Sequence, residues 1–198
     1  MIEFTEVVNQ EPYIYFKDCY DKAYALEQRN IEAASLSTIS LGLKPSSRFI
    51  NVKYITKKFI FFSNYQSQKG QDIDDNKNIC LLFFWNKTNT QIRIEGTIDR
   101  SSEVFSNKHF LKREFNKNIS AIISKQSARL SSYKELENEF DLAAKNYKDK
   151  SLERPSNWGG YEITPSSFEF WNGSDFRLNK RLKYTLVKDS WRKCFLQP

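Results

Sequence analysis

Apolar side chains recur along this chain of 198 residues with two periods. Gln91 to Asp99 alternates cleanly. Ile92, Ile94 and Ile98 face one way, while Gln91, Arg93, Glu95, Thr97 and Asp99 face the other, which predicts a half-buried strand. Gly96 falls on the apolar face, where it marks a bulge or a close backbone approach. Ile79 to Trp85 (ICLLFFW) and Lys58 to Ser63 are nearly unbroken apolar runs, as expected of strands buried on both faces. Ala33 to Ser40 predicts a further strand, closed by a turn at Gly42. The helical period appears in Glu11–Arg29, through Tyr13, Phe16, Tyr20, Ala23, Tyr24 and Leu26, with Pro12 in the permissive first turn. Ser101–Arg113, with Ser101 or Ser102 as N-cap, and Ser131–Tyr147 predict two more helices. The last third reads as a strand Tyr161–Ile163, a turn at Thr164-Pro165, a strand Phe168–Trp171, a turn at Asn172-Gly173 and the start of a basic strand.

Strands joined by short turns, with helices interposed, predict an antiparallel β-barrel flanked by helices, in the α+β class. No repeat or linker divides the chain, so one domain over residues 1–198 is expected, with residues 1–10 as a flexible polar arm.

Pro45–Lys69 (PSSRFINVKYITKKFIFFSNYQSQK) concentrates the chemistry. Pro45, Ser46 and Ser47 have turn chemistry, Arg48 and Lys53 bracket a strand, and a short helix is expected from this stretch to about Asn76. Ser63, Asn64, Ser67 and Lys69 gather where that helix should begin. Free N–H groups, hydroxyls and a cation together suit a phosphate. On spacing alone, a solvated basic hairpin is the competing reading.

Charge and rare residues narrow the function. The net charge of +7 favours anionic partners, but the lysines form no tail or stripe, so no nucleic-acid partner is expected. A single histidine, His109, excludes Cys/His zinc clusters and multi-histidine iron sites. No metal site is expected. Neither a GxGxxG nor a Walker A motif is present, so a nucleotide or flavin needs another cradle. Three dispersed cysteines fit free thiols in a reducing compartment. With no long apolar run and no signal-peptide pattern, a cytoplasmic protein without a membrane partner is expected.

The ordered set PSSRFINVK, FFSNYQSQK, QIRIEG, SKQS, RPSNWGGYEITPSSFEFW and RLNKR resembles the pyridoxine/pyridoxamine 5′-phosphate oxidase family over roughly residues 11–198. The resemblance implies an FMN-binding split β-barrel and a homodimer with two FMN sites at the interface. It implies hydride transfer from an anionic small-molecule substrate to FMN and reoxidation by molecular oxygen, giving pyridoxal 5′-phosphate and hydrogen peroxide. The alternatives are a related flavin oxidase acting on a phenazine-like or other ring, and a non-catalytic FMN-binding protein.

By the same resemblance, FMN is held by Arg48, Phe49, Ile50, Asn51, Val52 and Lys53, by Phe62 and Ser63, and by Gln68 and Lys69. Gln91, Gln126, Ser127, Trp171 and Arg181 complete that set. Substrate falls to Lys53, His109, Arg113, Lys117, Arg177 and Asn179, with Arg177 and Lys53 as the catalytic pair. Several positions depart from the family pattern. His109 stands for a tyrosine, Lys117 for a serine, Asn179 for a histidine, Lys180 for an aspartate and Gln68 for an arginine.

Overall fold

The structure, a computed structural model, describes residues 1–6, 8–148 and 150–198. Val7, inside the expected arm, and Asp149 lie outside the described residues. Among the described residues, ten strands and five α-helices follow in order: β1 (Glu3–Phe4), α1 (Glu11–Ala25), β2 (Ala33–Ile39), β3 (Pro45–Asn51), β4 (Tyr54–Ile55), β5 (Phe59–Asn64), α2 (Gln68–Asp75), β6 (Asn78–Trp85), β7 (Thr90–Arg100), α3 (Glu103–Lys112), α4 (Phe115–Ile123), α5 (Tyr133–Tyr147), β8 (Trp158–Asn172), β9 (Lys180–Val187) and β10 (Ser190–Leu196). One sheet contains all ten strands, in the order β1-β4-β5-β8-β7-β6-β2-β3, with β9 on β8 and β10 on β9. Every pairing is antiparallel except β1 with β4.

β8 organises the curl. Its first part, Trp158–Ile163, pairs with β5, while Ser167–Asn172 pairs with β9 and the other edge follows β7. A strand shared between two neighbours on one edge splits the sheet, giving the half-barrel. Helix α1 closes its interior. Phe16 sets its ring 5.1 Å from Phe59, 5.3 Å from Phe83 and 5.6 Å from Trp85, all edge-on, an arrangement favoured by the ring quadrupoles. Leu36, Leu81, Phe83, Ile92, Ile94, Phe168 and Phe170 complete a core with no exposed surface.

The alternation read at Gln91–Asp99 holds: Ile92, Ile94 and Ile98 are buried, and the register slips at Glu95/Gly96. That slip corrects the expected turn at Thr164-Pro165, because β8 runs unbroken through it. Gly96 pairs with Pro165 and Glu95 with Ser167, so Ser166 is the extra residue of a bulge. A bulge is where a strand tolerates a residue without an N–H. A Cβ on Gly96 would lie 2.1 Å from the Thr164 carbonyl oxygen, so glycine is what lets the strands close.

Other expectations are also corrected. Residues 2–5 are not a free arm: Ile2 is buried, and the Glu3 and Thr5 N–H groups donate to the Lys53 and Ile55 carbonyls. Pro45–Ser47 are strand, not turn, because Ser47 and Ser46 pair with Ser37 and Thr38 of β2. The β6 run is buried on one face only, with Phe84 exposed, so its apolar composition does not reflect two covered faces in the single chain. Helix α4 and strands β4 and β10 carry no separate signal in the sequence pattern. The β9–β10 hairpin turns on Lys188 and Asp189, both at positive φ, as a type I′ two-residue loop requires. No described helix is long and apolar enough to cross a membrane.

Candidate functional site

Two cations of the Pro45–Lys69 stretch, Arg48 and Lys69, gather at α2, whereas Lys53 and Lys58 pair elsewhere, with Glu32 and Glu162. Strand alternation turns Arg48 and Ile50 inward and leaves Phe49 and Asn51 exposed. Arg48 Nη1 donates to the Leu36 carbonyl at 3.2 Å and to Thr38 Oγ1 at 2.7 Å, while Nη2 donates to Ser46 Oγ and lies 3.5 Å from Asp72. Asp72, from α2, is almost fully enclosed and accepts from Thr38 (2.6 Å), Ser46 (3.0 Å) and Gln68 (2.9 Å). Burial raises its carboxyl pKa, but those hydrogen bonds and Arg48 outweigh burial, and the net shift is downward. Gln68 is thereby placed on Asp72.

Lys69 is the buried cation of the cluster. Its Nζ donates to Ser67 Oγ (2.9 Å), Gln126 Oε1 (3.0 Å) and Ser63 Oγ (3.1 Å), all neutral acceptors. Desolvation, with Arg48 adding repulsion, pulls its pKa down to about 8. A buried ammonium held only by neutral groups, with an arginine nearby, is suited to an anion. Ser127 follows Gln126 at a φ of 73° and lines an adjoining cleft with Gln66 and Gln68.

A second set lies beside the first. Phe62, Ser63, Gln126, Arg113, Lys117 and Trp158 line a cavity of about 220 Å³, which brings expected cofactor and substrate residues to one wall. Arg113 stacks its guanidinium 4.4 Å from the Trp158 ring and donates through Nη2 to the Lys117 carbonyl at 2.9 Å. Its buried Nη1 has no partner among the described residues. His109, one helical turn before Arg113, stacks on Phe62 at 3.6 Å with an 8° tilt, and its Nδ1 lies 2.8 Å from the Tyr54 hydroxyl. Burial, then the charges of Arg113, Lys53 and Lys112, lower its pKa to about 4, so the ring is neutral. Lys53 Nζ stands 3.9 Å from Glu32, and Val52 is fully buried. The Lys117 ammonium instead pairs with Glu114 at 2.8 Å in an exposed i,i+3 contact.

A third set forms a row across the sheet. Gln91 pairs with Trp171, and Trp171 with Arg181. Glu169 holds Arg181 through Nε at 2.9 Å and Nη2 at 2.6 Å, and also accepts from Arg93. No described hydrogen bond or ion pair joins this row to Arg48 or Lys69. Arg177 lies in a short 3-10 turn, Asp175–Arg177, at positive φ, and Asn179 accepts from the Ser174 N–H at 3.2 Å.

Residues 21–146 match the family described as pyridoxamine 5′-phosphate oxidase, and residues 158–198 match the pyridoxine 5′-phosphate oxidase C-terminal dimerisation region. The chain belongs to the pyridoxamine 5′-phosphate oxidase family. This is a family of FMN-dependent oxidoreductases. A pyridoxine/pyridoxamine 5′-phosphate oxidase of Leptospira interrogans is 33% identical over 195 residues, 98% of this chain and 91% of the relative. The chloroplastic pyridoxine/pyridoxamine 5′-phosphate oxidase 1 of Arabidopsis thaliana is 39% identical over 183 residues; the match spans 91% of this chain and 34% of that longer protein. Among solved structures, PhzG from Burkholderia lata in complex with tetrahydrophenazine-1-carboxylic acid superposes with a TM-score of 0.88 at 28% identity, over 94% of this chain and 92% of that one.

Within this oxidase family fold, the donor set fits a flavin phosphate. Lys69 lacks a counter-ion among its hydrogen-bond partners, and hydroxyls of Ser63 and Ser67 stand beside it. Asp72, Tyr54, Glu169 and Trp158 also shape the site but were not among the residues singled out from the sequence. Asp72 had a legible trace at four residues from Gln68, on the same helical face. Trp158 and Glu169 fall within the RPSNWGGYEITPSSFEFW motif without being assigned a role there, and Tyr54 had no signal, because their partners are distant in sequence.

Proposed function

We propose that this chain is an FMN-dependent oxidase that takes a hydride from an anionic ring substrate and passes the electrons to molecular oxygen. The simplest substrate is pyridoxine or pyridoxamine 5′-phosphate, giving pyridoxal 5′-phosphate and hydrogen peroxide. The observation that carries the reading is the unpartnered, buried Nη1 of Arg113 in the wall of the cavity shared with Phe62, Ser63 and Gln126. A desolvated donor costs free energy until an acceptor arrives, and a phosphate or carboxylate supplies one.

FMN, when bound, supplies the hydride acceptor and the reaction with oxygen. Lys69, Ser63 and Arg48 hold its phosphate, and Gln126 orients the Lys69 ammonium. Phe62 and Trp158 form an apolar wall beside the reacting ring and keep water from it. Arg113 and His109 grip the substrate anion, with Lys53 raising the local positive potential. In a homodimer built through residues 158–198, Gln91, Trp171 and Arg181 complete the partner's site, which accounts for their separation from Arg48 within one chain. Arg177 and Asn179, on the loop before β9, approach the substrate from the same side.

The test is the visible spectrum of the purified protein, followed by anaerobic addition of pyridoxine 5′-phosphate. Bleaching of the bound flavin, with hydrogen peroxide formed when air is admitted, supports the assignment. A flavin that stays oxidised at saturating substrate removes it.

A second reading has its own support. His109, Lys117 and Asn179 replace family residues on the substrate side, and the PhzG relative carries a tetrahydrophenazine carboxylate. A carboxylated tricyclic ring would meet the same Arg113. If Asn179→His and Lys117→Ser each raise turnover of pyridoxine 5′-phosphate, the pocket has departed from that substrate and this reading gains. If wild type is already fast and neither variant changes the rate, the phosphate substrate stands.

A further inference from the structure

Tyr54 on β4 and His109 on α3 meet across 55 positions of sequence, with the phenolic oxygen 2.8 Å from Nδ1. Tyr54 is buried, its ring edge-on to Phe105 at 5.5 Å and Phe62 at 6.1 Å. Among the described residues its hydroxyl has no hydrogen-bond partner besides His109. Burial, with the Glu3 carboxylate adding, raises the Tyr54 pKa, so the hydroxyl keeps its proton and requires an acceptor.

The contact satisfies both groups in one arrangement only. With the ring proton on Nδ1, the ring donates to the phenolic oxygen and the Tyr54 O–H is left without an acceptor. With Nδ1 bare, Tyr54 donates to it and the ring proton sits on Nε2. Nε2 makes no hydrogen bond among the described residues. The ring is fixed by its stack on Phe62, and Trp158 lies 6.3 Å from it and 4.4 Å from the guanidinium of Arg113, the residue that caps α3, so imidazole and guanidinium share one aromatic neighbour. The charged groups around the imidazole are Lys53 from the strand side and Lys112 and Arg113 from the end of α3.

We propose that Tyr54 is a positioning residue: its hydroxyl locks His109 in the Nε2–H tautomer, so that a neutral imidazole donates a hydrogen bond to the anionic group of the substrate beside Arg113. The substrate half of this inference rests on the oxidase reading above; the tautomer half does not.

Because the chain has one histidine, isotope labelling of histidine yields a single imidazole signal set in nitrogen NMR. Near neutral pH, wild type is expected to show a bare Nδ1 and a protonated Nε2, and Tyr54→Phe to move both nitrogens toward the average of the two tautomers. A proton on Nδ1 in wild type overturns the proposal. Pyridoxine 5′-phosphate, and inorganic phosphate as the anion alone, are then titrated in. Nε2 is expected to move more than Nδ1, and an unmoved Nε2 at saturation overturns the donor role. In kinetics, Tyr54→Phe should raise KM by about 2- to 12-fold with a smaller change in kcat, the loss of one neutral hydrogen bond. His109→Gln retains an N–H donor, and in that background Tyr54→Phe should add nothing; fully additive losses overturn the coupling. If no pyridoxine 5′-phosphate is oxidised, the oxidase reading fails, while the tautomer and inorganic-phosphate measurements still decide the role of Tyr54.

Discussion

Lys69 Nζ lies 3.0 Å from Gln126 Oε1, a bond between α2 and the loop after α4 that spans 57 residues. It ties the cation of the phosphate cluster to the wall of the neighbouring cavity, because Gln126 lines that cavity and also accepts from Ser63 at 3.1 Å. The two halves of the proposed site, for cofactor and for substrate, would therefore share one amide.

Lys69→Met should weaken FMN binding about 10- to 150-fold, the loss of one charge-assisted hydrogen bond, measured by fluorescence titration of the apoprotein. The same residue sets a pH effect. Its folded pKa of about 8 lies below the ordinary 10.5, so between these values the unfolded chain holds a proton that the folded chain has released. Stability of the apoprotein should therefore rise from pH ~8 toward ~10. Urea midpoints for wild type and Lys69→Met at both ends of that window test it; equal slopes contradict the assignment. Saturating FMN should reduce the rise, because a phosphate dianion favours the charged ammonium.

His109 carries the opposite end of the pH range. The folded imidazole titrates near 4 against 6.5 when unperturbed, so its neutral form stabilises the fold above about 6.5, and that stability is lost as pH falls toward 4. His109→Gln should lose less stability than wild type between pH ~7 and ~5, as read from urea midpoints. Carboxylates titrate in both proteins, so the difference between them isolates the imidazole.

Arg48→Met and Arg181→Met test the shared site. In the proposed dimer each variant alone damages both sites, whereas a mixed dimer concentrates both substitutions in one site and leaves the other intact. After subunit exchange, about a quarter of wild-type activity should return, since half the dimers are mixed and each has one good site. If Arg181 served the site of its own chain, mixing would restore nothing.

Gly96→Ala should destabilise the protein by about 1–3 kcal/mol, because the new methyl meets the Thr164 carbonyl oxygen. Urea denaturation followed by tryptophan fluorescence measures it. A neutral substitution would mean that the bulge opens without cost.

Much of the fold was legible in local pattern. The alternation of Ile92, Ile94 and Ile98 set the inward face of β7, and the helical spacing of Tyr13, Phe16, Tyr20 and Ala23 set the buried side of α1, because periodicity is a property of neighbouring residues. The hydroxyls and the cation of Ser63, Ser67 and Lys69 at a helix start are local features too, and they suit an anion without reference to distant contacts. What required the tertiary structure depends on residues far apart in sequence. Pro165 is continuous strand because Gly96 faces it. Phe84 belongs to an apolar run, yet it is exposed, while Cys80 and Leu82 on the same face of β6 are half-buried, because the described residues leave that end of the face uncovered. Arg48 is already engaged by Asp72, and His109 is neutral because Phe62, Tyr54 and a ring of cations surround it. A side chain's identity sets its ordinary pKa and hydrogen-bonding capacity; its protonation state and its partner follow from desolvation and charge at distances that only the folded chain defines.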